Sequence, residues 1–259
     1  MRIVTWNINS VRARLERLLA LLGRHNPDLV CLQETKAVDE AFPRQPIEDA
    51  GYRVQTLGQK TYNGVALLSL QPLDDVERGF DNDPAPGEAR VISGEMDGLR
   101  VINLYVVNGQ ALETDKYRLK LRWLDAMADW IGQRHDPGSP LLLVGDFNIA
   151  PDDRDVYAPE LWHDRVLVSE PERQRLHRLQ DWGLVDLLRL KTREGEIFTW
   201  WDYRFGAFKR NHGLRLDLML GTASVAQRVR AVTVDREERA KDSGPGAPSD
   251  HAPVMLDLD

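Results

Sequence analysis

The chain reads as a layered α/β or α+β domain, on three observations. Short apolar runs rich in Val, Ile and Leu recur along its length, helical periodicity appears between some of them, and no repeat or low-complexity tract divides the 259 residues. The Pro/Gly-rich segments at 81–87, 136–140 and 243–248 are too short to act as linkers. Residues 1–259 are therefore expected to form one domain, and 42% hydrophobic content suffices for a substantial core.

Taken in order, "RIVTW" reads as the first strand. Ser10 follows as a candidate N-cap for a helix carrying Val11, Leu15, Leu18 and Leu22 on one face, with Gly23 and Pro27 closing it. "DLVCLQ", "GVALLSL" and "VINLYVV" are the next strands, with hairpin-like pairing expected between 62 and 107. A second helix is predicted from about Asp115 to Gln133, where Tyr117, Leu121, Leu124, Ala128 and Ile131 recur at helical spacing. "PLLLVGDF" is a buried strand. The capping-box pattern Ser169 to Glu172 opens a third helix that turns Leu176, Leu179 and Trp182 inward. "LRLDLML", "AVTVD" and "PVMLDL" complete the strands.

The formal charge of −7 argues against a protein that coats nucleic acid, because affinity for phosphate comes mainly from Lys and Arg. Locally the sign reverses. "YRFGAFKRNHGLR" at 203–215 holds four basic side chains and no acid, and "KYRLKLR" at 116–122 is similar, so a polyanion meets these stretches first. The lone cysteine, Cys31, sits in an apolar run and excludes an internal disulfide. No signal-type segment opens the chain, and no apolar run approaches the ~18 residues of a membrane span. A cytoplasmic monomer with no membrane association is expected.

Polar residues interrupt or end the strands at similar places. Asn7 and Asn9 follow "IVTW", Glu34 follows "LVCLQ", Tyr105 lies in "VINLYVVNG", Asp146 and Asn148 follow "LLLV", Asp217 lies inside "LRLDLML", and Asp250-His251 precedes "PVMLDL". Side-chain direction repeats every two residues in a strand, so Asn7 with Asn9, and Asp146 with Asn148, each reach a common point. Singly, such residues are turn formers or surface charges, and Asp217 could simply pair with Arg215 or Arg204. Together, converging carboxylates need a cation, and the donors are oxygens. That supply suits Mg²⁺ or Mn²⁺, whereas zinc wants closely spaced Cys and His. Since Mg²⁺ shares substrate phosphate oxygens, a phosphoester substrate follows. No Walker, G-x-S-x-G or G-x-G-x-x-G motif offers another chemistry.

"TWNIN", "LQETK", "LYVVNG", "GDFNIAPDDRDVY", "FTWWDYR", "NHGLRLDLML" and "PSDHAPV" resemble, in order and spacing, the exonuclease III type of class II AP endonuclease, within the endonuclease/exonuclease/phosphatase superfamily. The resemblance implies an α/β four-layer sandwich of two mixed β-sheets flanked by helices. It also implies hydrolysis of the phosphodiester 5′ to abasic sites in duplex DNA, with 3′→5′ exonuclease and 3′-end cleaning, dependent on Mg²⁺ or Mn²⁺. The partner is duplex DNA with abasic sites or 3′ ends.

Residue by residue, the resemblance assigns Glu34, Asn7 and Asp250 to the metal, with Asn9 nearby on the substrate side. Asp146, held by Asn148, activates the attacking water. His251, paired with Asp217, donates to the phosphate, as does Tyr105. Trp200 and Phe208 line a pocket for a flipped-out abasic sugar, while Arg90, Arg204, Lys209 and Arg210 face the DNA backbone. Two departures stand out: Val107 replaces a proline, which is expected to loosen the turn carrying Asn108, and Ala247 replaces a basic residue, costing about one phosphate contact. The competing readings are a superfamily phosphodiesterase or phosphatase acting on another phosphoester, and a non-catalytic DNA-binding module.

Overall fold

A computed structural model describes residues 1–259. The elements follow in the order β1 (Arg2–Asn7), α1 (Leu15–His25), β2 (Leu29–Gln33), α2 (Arg44–Asp49), β3 (Arg53–Leu57), β4 (Val65–Ser69), β5 (Asp74–Arg78), β6 (Val91–Met96), β7 (Leu99–Tyr105), α3 (Asp115–Arg134), β8 (Leu141–Asp146), α4 (Pro159–Trp162), α5 (Glu170–Trp182), β9 (Val185–Asp186), α6 (Leu187–Lys191), β10 (Asp217–Gly221), α7 (Ala223–Ala226), β11 (Val229–Val234) and β12 (Val254–Leu258). They form two six-stranded mixed sheets, ordered β11-β12-β1-β2-β4-β3 and β5-β6-β7-β8-β10-β9. Each sheet has one parallel pair, β1 with β2 and β7 with β8, and each pair is joined across a helix, α1 or α3. All other neighbours are antiparallel.

The strand period of two sorts side chains into layers. Ile3, Cys31, Leu67, Val101, Val144 and Met219 fill the space between the sheets. Val4, Trp6 and Leu32 face outward against α1, and Leu104, Leu143 and Leu218 face outward against α3 and α5. The result is the expected helix–sheet–sheet–helix sandwich. Inner-facing positions turn polar toward one end: β1 runs Ile3, Thr5, Asn7; β7 runs Val101, Asn103, Tyr105; β8 runs Leu142, Val144, Asp146. Gln33 bridges the sheets there, its Nε2 donating to Thr5 Oγ1 at 2.9 Å and to Asn103 Oδ1 at 2.7 Å. These pairings satisfy the Gln33 amide nitrogen within an otherwise apolar core, while its Oε1 stays unpaired.

The chain departs from expectation in places. The first helix begins at Leu15 rather than after Ser10, because Asn9 and Ser10 both take positive φ, at 46° and 86°. It ends on Asn26 in the left-handed conformation, and Gly23 lies inside it. The third helix starts as predicted, with both hydrogen bonds of the Ser169–Glu172 capping box present. Val107 is buried in the outer core of the second sheet, and Asn108 still donates to Asn148 Oδ1 at 2.9 Å, so the turn is not loosened. "KYRLKLR" is not a wholly solvated basic face, since Tyr117 and Lys120 are buried. No helix is long and apolar enough to cross a membrane.

Candidate active site

The two central parallel pairs end side by side, which places Asn7, Glu34, Tyr105 and Asp146 on one rim. The antiparallel neighbour β10 brings its start to the same rim, where Asp217 pairs in register with Asp146, and on the other side Tyr105, at the end of the parallel strand β7, pairs with Asp146. Gly145 makes this close approach possible. At its φ of 140°, a Cβ would stand 1.9 Å from Leu104 O, so only glycine fits immediately before Asp146.

Asn7 joins the sheets. Its Nδ2 donates to Glu34 Oε1 at 3.0 Å and to Asp146 Oδ2 at 2.9 Å, while its Oδ1 accepts from Asn9 N at 3.1 Å. Asn7 therefore points its nitrogen at the two acids and its oxygen at the Asn9 peptide. Glu34, at φ 50°, also accepts from the Tyr105 hydroxyl at 2.8 Å and lies 2.7 Å from Lys36 Nζ. Burial pushes the Glu34 carboxyl up, but Lys36 and Asn7 outweigh that and hold it below its usual range. Burial, with the Glu34 charge, raises Tyr105 well above the ordinary phenol value.

Asp146 is buried and accepts from Asn148 N at 2.9 Å and Asn148 Nδ2 at 3.3 Å. His251 Nδ1 meets Asp217 Oδ2 at 2.8 Å, and its Nε2 lies 3.8 Å from Asp146 Oδ2. Burial opposes a charge on His251, yet the carboxylates of Asp217 and Asp146 prevail and raise its pKa. Burial likewise raises Asp146, with His251 pulling the other way. Asp217 Oδ1 has no hydrogen-bond partner, so imidazolium is the principal compensation for that acid. Asp217 does not pair with Arg215 or Arg204: Arg215 is locked between Asp155 and Asp186, at 2.6 Å from each, and Arg204 pairs with Asp202.

Two donor sets could receive a cation. Asp146, Asp217 and His251 offer atoms within 4.8 Å of one another. A protonated imidazole has no lone pair to give, however, and its Nδ1 is committed to Asp217. On the other side of Asn7, Lys36 Nζ already takes oxygens from Glu34 and from Asn9 Oδ1, the latter at 2.6 Å, and Asn9 donates to Asp250 Oδ1 at 2.8 Å. An ammonium held by oxygens marks where positive charge is wanted. The Glu34–Asp250 side, all oxygen, fits a hard divalent ion.

Around the rim, Trp200 is half-buried and donates from Nε1 to Asp250 Oδ2 at 3.1 Å. Other expected DNA contacts move. Arg90 is only 7% exposed, its guanidinium 4.9 Å above the Tyr105 ring and bonded to Glu88 and Tyr105 O, so it buttresses Tyr105. Phe208 packs edge-on against Trp201 beneath Arg236 and Arg239, not in an open pocket. Lys209 and Arg210 are exposed, Arg210 resting on Phe205 O. The sequence reading missed Phe205, 81% exposed at φ 57°, and Lys36. Only the fold decides which phenylalanine of "FGAF" points out; Lys36 was available in "LQETK", two residues from Glu34.

A model of the Endonuclease/Exonuclease/phosphatase family matches residues 4–251. Exodeoxyribonuclease III of Haemophilus influenzae is 36% identical over 271 residues, covering 100% of both chains. Among solved structures, a 3′ phosphatase from Neisseria bound to a product DNA hairpin superposes with TM-score 0.95 at 42% identity, over 100% of this chain and 99% of that one. An AP endonuclease from Archaeoglobus fulgidus does so with TM-score 0.94 at 35% identity, over 100% and 99%.

Proposed function

The chain belongs to the Endonuclease/Exonuclease/phosphatase family, and from that premise we propose that it is a DNA-repair nuclease hydrolysing phosphoesters 5′ to abasic sites in duplex DNA and at damaged 3′ ends. The observation that carries this reading is Asn7 Nδ2, which holds an acid from each sheet, Glu34 and Asp146, within reach of one amide. Opposite functions can then act on one phosphate. Glu34 and Asp250 would hold Mg²⁺ or Mn²⁺, which would supply charge neutralisation to the phosphate.

Asp146 orients the attacking water and takes its proton, a task favoured by its raised proton affinity. Asn148 fixes the aim of that carboxylate through two donors. His251, kept charged by Asp217, donates to a phosphate oxygen, and Tyr105 offers its phenol to the phosphate or the leaving oxygen. The new water oxygen–phosphorus bond forms as the ester bond to the leaving oxygen breaks. Trp200, beside Asp250, lines the apolar side where a sugar without a base can be received at little unstacking cost. Phe205, with Lys209 and Arg210, meets the DNA outside the reacting centre.

The test is cleavage of a duplex bearing one tetrahydrofuran abasic mimic, in parallel with release of phosphate from a 3′-phosphorylated hairpin. With Mg²⁺ both substrates are processed, and chelator lowers each rate by roughly a hundredfold or more. In the same assay Phe205→Ala raises KM by about tenfold, the size of one lost stacking contact, with little change in kcat. Equal cleavage of intact and abasic duplex with no release of the 3′ phosphate, or indifference to chelator, overturns the proposal.

A further inference from the structure

Beneath the rim, Lys120 from α3 is fully buried and points its ammonium at three acceptors. They are Asn148 O at 2.6 Å, Asn108 O at 3.2 Å, and the carboxylate of Glu172, itself fully buried at the start of α5. Three N–H donors meet three acceptors, so the ammonium is saturated. Glu172 is equally occupied: it also accepts from Leu167 N at 3.1 Å, Ser169 N at 3.0 Å and Ser169 Oγ at 2.6 Å, and the Tyr117 hydroxyl closes the cluster on Ser169 Oγ at 2.6 Å. Burial drives the Lys120 pKa down, and Glu172 works against it.

A buried ion pair is a weak source of stability, because desolvating both charges offsets their attraction. What this pair touches is more telling. Asn148 stands at φ 50°, a conformation unfavourable to a side chain with Cβ, and its peptide supplies one donor to Asp146 while its amide supplies another and bonds Val106 O at 3.0 Å. The Asn108 amide, in turn, donates to Asn148 Oδ1. Lys120 thus grips the carbonyl of Asn148, which aligns Asp146, and that of Asn108, which holds the Asn148 side chain.

We propose that the Lys120–Glu172 pair is a positioning device for the active site: it fixes the Asn148 and Asn108 peptides so that Asp146 is held in its working direction. Neither residue touches the reacting atoms. The inference rests on the nuclease reading, and it separates from mere structural support through a double substitution. Lys120→Met leaves Glu172 as an uncompensated buried charge, and melts well below wild type. Lys120→Met with Glu172→Gln removes both charges and regains part of that melting temperature, since the new NH₂ opposes either Leu167 N or the Ser169 donors, and it still lacks the donors to Asn148 and Asn108.

The expected result is that the double variant, folded and melting above Lys120→Met, cleaves the abasic duplex well below its own melting temperature with kcat lowered at least about tenfold and KM within about threefold. If kcat recovers along with melting temperature, the pair is structural only and the proposal fails. Amide proton exchange at Asn148, whose N–H is held by Asp146 Oδ1, provides the arm that needs no activity: it accelerates in the folded double variant if the pair holds this segment, and unchanged exchange there also overturns the proposal. Should wild type itself cleave nothing, the nuclease reading falls while the exchange measurement still decides the positioning role.

Discussion

Replacing Glu34 by Gln lowers the rate of abasic-duplex cleavage by about a hundred- to a thousandfold, the range seen when one electrostatic element is removed from a transition-state site. Gln keeps an oxygen for Asn7 and Tyr105, which both donate to Oε1, so the rim stays assembled. It turns an NH₂ toward Lys36, where the native carboxylate oxygen lies 2.7 Å from the ammonium, and it removes the charge that draws a divalent ion. The loss is therefore expected in kcat and in the Mg²⁺ concentration needed for half-maximal rate. DNA affinity depends on phosphate contacts elsewhere and stays within about threefold. A magnesium titration of single-turnover rate checks this, and a rate within tenfold of wild type removes Glu34 from the mechanism.

Asp146→Asn is expected to be as severe, lowering kcat by about 10²- to 10⁴-fold, which is the contribution of a positioned general base. Three donors converge on this carboxylate, Asn7 Nδ2, Asn148 N and Asn148 Nδ2, with His251 Nε2 beyond them. An amide can accept on one side only, so its NH₂ opposes a donor and has no proton affinity to offer the water. Stability moves little, because the substitution also removes a carboxylate whose burial is unfavourable, as its raised pKa records. Thermal melting beside single-turnover kinetics separates the two effects. A kcat within tenfold of wild type assigns the base elsewhere.

Much of this was legible in the primary structure where one physical rule dominates. β1, β2, β8 and β12 announce themselves as apolar runs, and the Ser169–Glu172 box fixes the start of α5. β3 escaped because Arg53–Leu57 is an edge strand with an exposed or half-exposed face, and its alternation is weak. The polar ends of the strands could be read, since an Asp after four apolar residues is costly without a purpose.

Their meeting point could not be read from spacing alone. Asn7 and Asp146 belong to different sheets, and only stacking brings an amide of one to an acid of the other. The fate of cations was least legible. Lys120, Arg215 and Arg90 look like phosphate ligands in a list of charges, yet each is buried against specific acceptors, because a local run of basic residues says nothing about which of them face inward. Resemblance to a known family supplied the roles that patterning left open.

On the proposed mechanism a divalent ion would sit on the Glu34 and Asp250 side of Asn7, leaving Asp146, Asp217 and His251 free to move protons and bind phosphate. Diffraction from crystals soaked in Mn²⁺, collected where manganese scatters anomalously, locates that ion. One strong peak is expected in bonding contact with the Glu34 carboxylate, with Lys36 displaced from it and His251 Nδ1 still on Asp217. A peak ligated by the His251 ring together with Asp146 and Asp217, and none at Glu34, would contradict it.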